Sequence, residues 1–157
     1  MKNEAVVIYS GGMDSTVLLY HLIASQMKVA ALSIDYGQRH RRELEAAKRI
    51  TSELEIEHHV ADLSLLRPLM AGSSQTSDGI AVPHGHYESE SMKVTVVPNR
   101  NMLMLAVAGA WAISRKSDLI AYAAHAGDHA IYPDCREEFV RPLAEALVNA
   151  DWHRVDI

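Results

Sequence analysis

Ala5-Val6-Val7-Ile8-Tyr9-Ser10-Gly11-Gly12-Met13-Asp14-Ser15 decides the reading of this chain. Ala5 to Tyr9 is a continuous apolar run, as in a strand covered on both faces. Beyond the quoted stretch, Val17, Leu18, Leu19, His21, Leu22 and Ile23 recur at helical spacing. Ser10 to Ser15 is therefore the turn between a buried strand and a helix. Its two glycines let backbone N–H groups approach an anion closely. The helix start adds unpaired donors and a positive partial charge. Ser10 and Ser15 bring hydroxyls for phosphate oxygens, and Asp14 is suited to hold Mg²⁺ or to organise the loop. An ordinary strand–helix turn, with Asp14 as a first-turn acid, is the plainer reading. The concentration of anion-binding devices favours the phosphate loop.

Outward from this stretch the pattern repeats. Val29 to Ile34 reads as a second buried strand, ending at Asp35-Tyr36-Gly37. A charged helix is predicted from about Arg41 to Leu54, with Leu44, Ala47, Ile50, Thr51 and Leu54 on one face. Ile56–Ala61 is a third strand. Residues 62–95 differ. Gly72-Ser73-Ser74 and Asp78-Gly79 are turn signals, and Pro68 and Pro83 are expected to break regular elements. This stretch reads as an insertion or lid. Order returns at Thr95-Val96-Val97, followed by a helix from about Asn101 to Ser114. Leu119 to Ala123 is a fourth strand, His125-Ala126-Gly127-Asp128 opens a loop, and a last helix begins near Arg136. Strands alternating with helices predict βαβ units, an α/β fold and a parallel sheet. Ligands of such sheets bind beyond the C-terminal strand ends. The clusters after strands one, two and four, with the Pro98–Asn101 loop, are expected to converge there.

Composition narrows the classes. The chain has 157 residues, is 48% hydrophobic and 22% charged, and carries a formal charge of −5. That suits one domain over residues 1–157 and excludes disorder and collagen-like repeats. The negative charge argues against a nucleic-acid partner. The longest apolar stretch, Met102–Ile113, is too short to cross a membrane, for which ~20 residues are needed. Nothing at the start reads as a signal peptide. Cys135 is the only cysteine, so no internal disulfide is expected, and a cytoplasmic location is the default.

The loop lacks the Gly-Lys-Ser/Thr of a Walker A motif and the Gly-x-Gly-x-x-Gly of a dinucleotide fingerprint. Ser10-Gly11-Gly12-Met13-Asp14-Ser15 instead resembles the PP-loop of the ATP pyrophosphatase superfamily. Three more blocks follow in order: Asp35-Tyr36-Gly37-Gln38-Arg39-His40, Val97-Pro98-Asn99-Arg100-Asn101 and Tyr132-Pro133-Asp134-Cys135-Arg136. Together they resemble the 7-cyano-7-deazaguanine (preQ0) synthase family of queuosine biosynthesis, across residues 5–148. Two departures stand out. The family usually has glycine where this chain has Asn99. It also continues into a cysteine cluster that binds Zn²⁺, and those ligands have no counterpart here. The abrupt end at Val155-Asp156-Ile157 suggests an incomplete chain.

The resemblance implies an adenine-nucleotide hydrolase-like three-layer sandwich. It implies ATP-dependent conversion of 7-carboxy-7-deazaguanine and ammonia to the nitrile through two activations, with Mg²⁺, in a possible homodimer. Ile8, Tyr9, Ser10, Gly11, Gly12, Met13, Asp14, Ser15, Thr16, Val17 and Leu18 form the expected nucleotide segment, with Asp35 toward the ribose or adenine. Asp14, Arg39 and Arg100 are the expected catalytic residues. Gln38, Arg39, Arg100, His125, Asp128, Tyr132 and Asp134 are the expected substrate pocket.

No metal set is expected from histidines. His84-x-His86 and His125-x-x-x-His129 have ligand-like spacing but no completing partners. Cys135 reads as a structural or pocket residue rather than a nucleophile, since a thiolate needs a positive setting. Arg39, His40, Arg41 and Arg42 put cations at a helix start, against the macrodipole, which suggests a use with anionic ligands. Two rival readings are a PP-loop enzyme that modifies tRNA and a non-catalytic ATP-binding domain.

Overall fold

The computed structural model describes residues 4–38, 42–76 and 90–157. The strands are β1 (Glu4–Ile8), β2 (Lys28–Asp35), β3 (Glu57–Asp62) and β4 (Leu119–Ala121). The helices are α1 (Met13–Ala24), α2 (Arg42–Glu53), α3 (Arg100–Arg115) and α4 (Glu137–Val148). The strands form one sheet in the order β3-β2-β1-β4. Every pairing is parallel, with Val7 opposite Ala31 on one side and Ala121 on the other. The α/β class and parallel sheet read from the sequence are those observed.

The apolar run is explained by the layers. Because strand side chains alternate, Val6 and Ile8 pack with Leu105, Ala108 and Ala112 of α3 and Leu147 of α4. Ala5, Val7 and Tyr9 pack on the opposite face with Leu19 and Leu22 of α1 and Ala47 of α2. From Ala5 to Ile8 neither face of β1 reaches water, so neither tolerates polar residues there. At Gly109 the helices on one face come close: an added Cβ would lie 2.6 Å from Leu147 Cδ2.

Several boundaries shift from expectation. β3 runs one residue later than Ile56–Ala61. β4 stops at Ala121 rather than Ala123, because β1 supplies no partner beyond Val7. Pro68 does not interrupt regular structure but sits inside a 3₁₀ helix, Ser64–Met70, whose weaker pattern has less use for its missing N–H. A second 3₁₀ helix spans Glu90–Thr95. Between them, Ser73 Oγ donates to the Thr95 carbonyl at 2.9 Å, and Thr76 Oγ1 to the Met70 carbonyl at 2.8 Å. Asp78-Gly79, Pro83 and His84-x-His86 lie outside the described residues. Asn99 has φ 55°. Glycine occupies this left-handed region freely and asparagine is among the best tolerated replacements, which accounts for the departure from the family pattern.

The N-terminal edge of the sheet is tied by charge. Glu4 accepts from Lys28 Nζ at 2.7 Å and from Arg115 Nη2 at 2.7 Å. Arg115 also donates to Glu57 at 2.7 Å and lies over the Trp111 ring. Burial opposes ionisation of Glu4, but hydrogen bonds from Lys28, Arg115 and Ser117 and the Arg115 charge outweigh it and lower its pKa. A carboxyl with a depressed folded pKa contributes stability above its unfolded value and loses it as pH falls through the folded value. Glu4→Gln is therefore expected to cost about 1–3 kcal/mol at neutral pH. The gap to wild type should close below the ordinary glutamate value of 4.5. Urea unfolding from pH 7 to 3 checks this; a gap that does not change with pH would contradict it.

Candidate active site

At the C-terminal strand ends lies a cavity of about 420 Å³. Strand order reverses between β1 and β4, and the cavity opens at that switch point. β1 and its loop contribute Ile8, Tyr9, Ser10, Gly12, Met13, Asp14 and Ser15. β2 and its following turn contribute Ile34, Tyr36 and Gln38, and α2 contributes Glu43 and Leu44. α3 brings Arg100, Asn101 and Met104, while the segments after β4 bring Tyr122, Ala123, Asp128, Tyr132 and Cys135. The expected convergence of these clusters is what the structure has.

The loop is held from within. Gly12 N–H donates to Ser10 Oγ at 3.1 Å, and the Ser10 and Ser15 hydroxyls lie 3.0 Å apart. Thr16 Oγ1 donates to the Gly12 carbonyl at 2.7 Å and lies 3.1 Å from Tyr9 Oη. No side chain caps α1. Its first turn, Met13 to Ser15, lies on the cavity wall, where its N–H groups suit an anion. Gly11 also meets a packing demand. It has φ +84°, and an added Cβ would lie 2.3 Å from the Glu43 carbonyl oxygen and 2.7 Å from Ala47 N. Glycine is required here because α2 packs onto the loop.

Among the other expected nucleotide residues, Leu18 packs in the core and Val17 is exposed. Gly11, Thr16, Val17, Leu18 and Asp35 are not on the cavity wall. Asp35 Oδ1 accepts from Gly37 N–H at 2.9 Å, shaping the turn after β2. Gln38 reaches the wall while its amide staples that turn, accepting from Tyr36 N–H at 2.9 Å and donating to the Ile34 carbonyl at 3.2 Å.

Arg100 is half-buried at the start of α3. Burial works against its charge, but the Tyr36 hydroxyl, then Asp134 and Tyr132, outweigh it and raise its pKa. Arg39 lies outside the described residues, as do His40 and Arg41. Asp128 and Tyr132 reach the cavity, and Tyr132 Oη lies 2.8 Å from Thr95 Oγ1. His125 does not. Its Nδ1 accepts from Gly127 N–H at 3.0 Å while its own N–H donates to Asp128 Oδ2 at 3.1 Å, a reciprocal cap for the 3₁₀ helix Ala126–Ala130. Asp134 lies behind the wall and lines a second cavity with Asn99, Pro133, Arg136 and Phe139. Its Oδ2 accepts from Asn101 N–H at 3.2 Å, and its buried Oδ1 has no hydrogen-bond partner.

Asn101, part of a quoted block but given no role of its own, lines the site, and Glu43 and Tyr122 belong to it without having been singled out. No spacing marks these last two; α2 reaches the loop only by folding back. Cys135 is buried, and Asn101 Nδ2 donates to its sulfur at 3.3 Å. Burial, then Asp134 and Asp128, push its thiol up to about 11, so it stays protonated. Among the described residues no group of His, Cys, Asp or Glu side chains could hold a metal ion, and no helix is long and apolar enough to cross a membrane.

Solved structures share the architecture. NH3-dependent NAD synthetase from Campylobacter jejuni superposes with a TM-score of 0.55 at 14% identity, over 82% of this chain and 50% of that one. A predicted subunit of tRNA methyltransferase from Methanocaldococcus jannaschii gives 0.54 at 13%, over 92% and 64%. At such identities the likeness concerns the fold alone. Sequence relatives are much nearer. The 7-cyano-7-deazaguanine synthase of Hahella chejuensis is 51% identical over all of this chain, which spans 68% of that protein. The 7-cyano-7-deazaguanine synthase 1 of Colwellia psychrerythraea is 52% identical, with 72% of it spanned. The family model described as Queuosine biosynthesis protein QueC matches residues 4–157, and with a PP-loop-like cavity at the strand switch point this chain belongs to that family.

Proposed function

We propose that this protein converts 7-carboxy-7-deazaguanine and ammonia to 7-cyano-7-deazaguanine with ATP. The observation that carries the reading is the meeting of the Ser10–Ser15 loop and Arg100 on one cavity, in a chain of this family. The ATP phosphates sit on the first-turn N–H groups of α1, with the Ser10 and Ser15 hydroxyls beside them. Asp14 is exposed on the cavity wall and offers the hard carboxylate oxygens that Mg²⁺ prefers. Bound there, the ion supplies neutralisation of triphosphate charge. The described residues do not fit the family's Zn²⁺, and no step is placed on it.

A carboxylate oxygen is a poor leaving group. Its attack on the α-phosphorus of ATP releases pyrophosphate and leaves an acyl adenylate. Ammonia then adds at the acyl carbon, and AMP and a proton leave to give the amide. In the second round the amide oxygen attacks the α-phosphorus of a second ATP and releases pyrophosphate, and loss of AMP and of both amide N–H protons forms the nitrile. Neither round needs a protein nucleophile, which suits a Cys135 that keeps its proton. Arg100 carries its charge at every working pH and stabilises the negative charge that develops during transfer. Asp128 accepts from the N–H groups of the guanine-like edge. With a charge of −5, a small-molecule substrate is favoured over RNA, and the cytoplasm supplies the ATP.

The test is to mix protein, Mg-ATP, ammonium and 7-carboxy-7-deazaguanine and to follow the base by mass spectrometry. The amide should appear first, then the nitrile, with AMP formed only when the base is present. An unchanged base from protein shown to bind ATP would favour the non-catalytic reading.

A further inference from the structure

Ser33 is the polar residue in the buried run Ala30-Ala31-Leu32-Ser33-Ile34 of β2, and it has no exposed surface. An apolar residue would fill the place without the cost of burying a hydroxyl. Both sides of that hydroxyl are used. Ser33 Oγ donates to the Tyr9 carbonyl at 2.6 Å and lies 2.7 Å from Nε2 of His58 on β3. A carbonyl only accepts, so the Ser33 proton is committed to Tyr9 and the His58 Nε2–H donates to Ser33. Burial, then Lys48 and His59, lower the His58 pKa, so at neutral pH the ring is neutral and carries its proton on Nε2.

These hydrogen bonds run from the edge strand to the carbonyl at which the phosphate loop leaves the sheet. Tyr9 N–H still bonds the Leu32 carbonyl at 2.9 Å, so the backbone stays in the ladder up to that amide. The Tyr9 carbonyl, the next group, is held by a side chain. A side chain does not impose the ladder's register, so the Ser10 backbone turns toward α1 while the carbonyl keeps its partner. The far end is braced in the same manner, since the Ser15 and Thr16 hydroxyls both donate to the Gly12 carbonyl, at 3.1 and 2.7 Å. Ser10 to Gly12 thus hang between two held carbonyls. The second brace is local in sequence, and the first comes from β2 and β3. An anion site made of backbone donors works only where its N–H groups point at the ligand, so a shift of the entry carbonyl shifts the donors.

We propose that Ser33, oriented by His58, is a positioning residue for the nucleotide, fixing the entry of the Ser10–Ser15 loop and so the placement of the ATP phosphates. This rests on the function given above. Neither Ser33 nor His58 is on the cavity wall, so the effect passes through the Tyr9 backbone.

Calorimetry, at a temperature where each variant is folded, should titrate MgATP, and separately 7-carboxy-7-deazaguanine with a non-hydrolysable ATP analogue at saturation. Ser33→Ala should bind MgATP about three- to tenfold more weakly, as loss of a neutral hydrogen bond implies, and the base within about twofold of wild type. His58→Leu should weaken MgATP about two- to threefold, since Ser33 keeps its bond to Tyr9 but loses its orientation. His58→Gln, whose amide keeps a donor, should bind MgATP as wild type does. The double variant Ser33→Ala/His58→Leu should be no weaker than Ser33→Ala alone, because His58 acts only through Ser33. A bond that merely stabilises the sheet would lower the ligand-free Tm and leave these affinities alone. That result, equal weakening of both ligands, or additive losses in the double variant would each overturn the assignment. If Ser33→Ala does not fold, the two His58 variants decide it, and equal MgATP binding by both would overturn it. Wild type that binds MgATP but not the base would overturn the proposed function and not the positioning of the loop; wild type that binds neither would overturn both.

Discussion

Gly11→Ala is expected to destabilise the protein by about 2–5 kcal/mol, the sum of a left-handed backbone and an overfilled contact. The magnitude follows from what surrounds the missing Cβ. At φ +84° a side chain is strained whatever the space, and here there is none: the Glu43 carbonyl oxygen lies 2.3 Å away. A flexible side chain would swing aside, but these obstacles are backbone atoms of α2. Moving α2 would uncover Ala47, which is fully buried in the core on that face. Urea unfolding measures the loss, and a change below about 1 kcal/mol would mean that α2 is not held against the loop as described. Gly12→Ala is the control. It has no positive φ, and its nearest neighbour is the Ser10 hydroxyl at 3.2 Å, so stability should fall much less.

Arg100→Met should lower substrate-dependent AMP release about 10²- to 10³-fold, the usual effect of removing one preorganised partner of developing charge. The Km for ATP should change little. Arg100 stands at the start of α3, between Tyr36 on the β2 side and Asp134 and Tyr132 on the β4 side. From there it faces both halves of the cavity, and steady-state kinetics with each substrate varied in turn tell which half it serves. A parallel loss of ATP affinity would move Arg100 onto the nucleotide. Arg100→Lys should recover only part of the rate, because an ammonium keeps the charge but not the planar fork of donors.

The sequence was most legible where a relation is local. The run Ala5 to Tyr9, the glycine pair and the helical spacing after Ser15 lie within a few residues of one another, and β1, loop and α1 follow from them. Two of the four motif blocks adjoin the ends of β1 and β2, and the fold brings residues of all four onto one cavity. Asp35 and His125 stay off the cavity wall for a physical reason. Each is a polar residue at a strand end, as a ligand contact would be, yet each has a nearby backbone N–H in reach and closes its own turn. Local bonding of this kind competes with any distant use of the side chain.

Gly11 shows where local reading ends. A glycine in a strand–helix turn is visible in the sequence, but its stricter purpose depends on Glu43 and Ala47, brought in by α2. Glu43 and Tyr122 carry no signal of spacing or composition at all. The chain by itself determined the main strands and helices, the strand–loop–helix around Ser10–Ser15 and the family, because periodicity, turn chemistry and motif order are properties of neighbouring residues. Only the tertiary structure decided which side chains face the cavity and which hydroxyl holds the Tyr9 carbonyl. Those depend on the strand order β3-β2-β1-β4 and on how closely each helix packs, and both are settled between residues far apart in the chain.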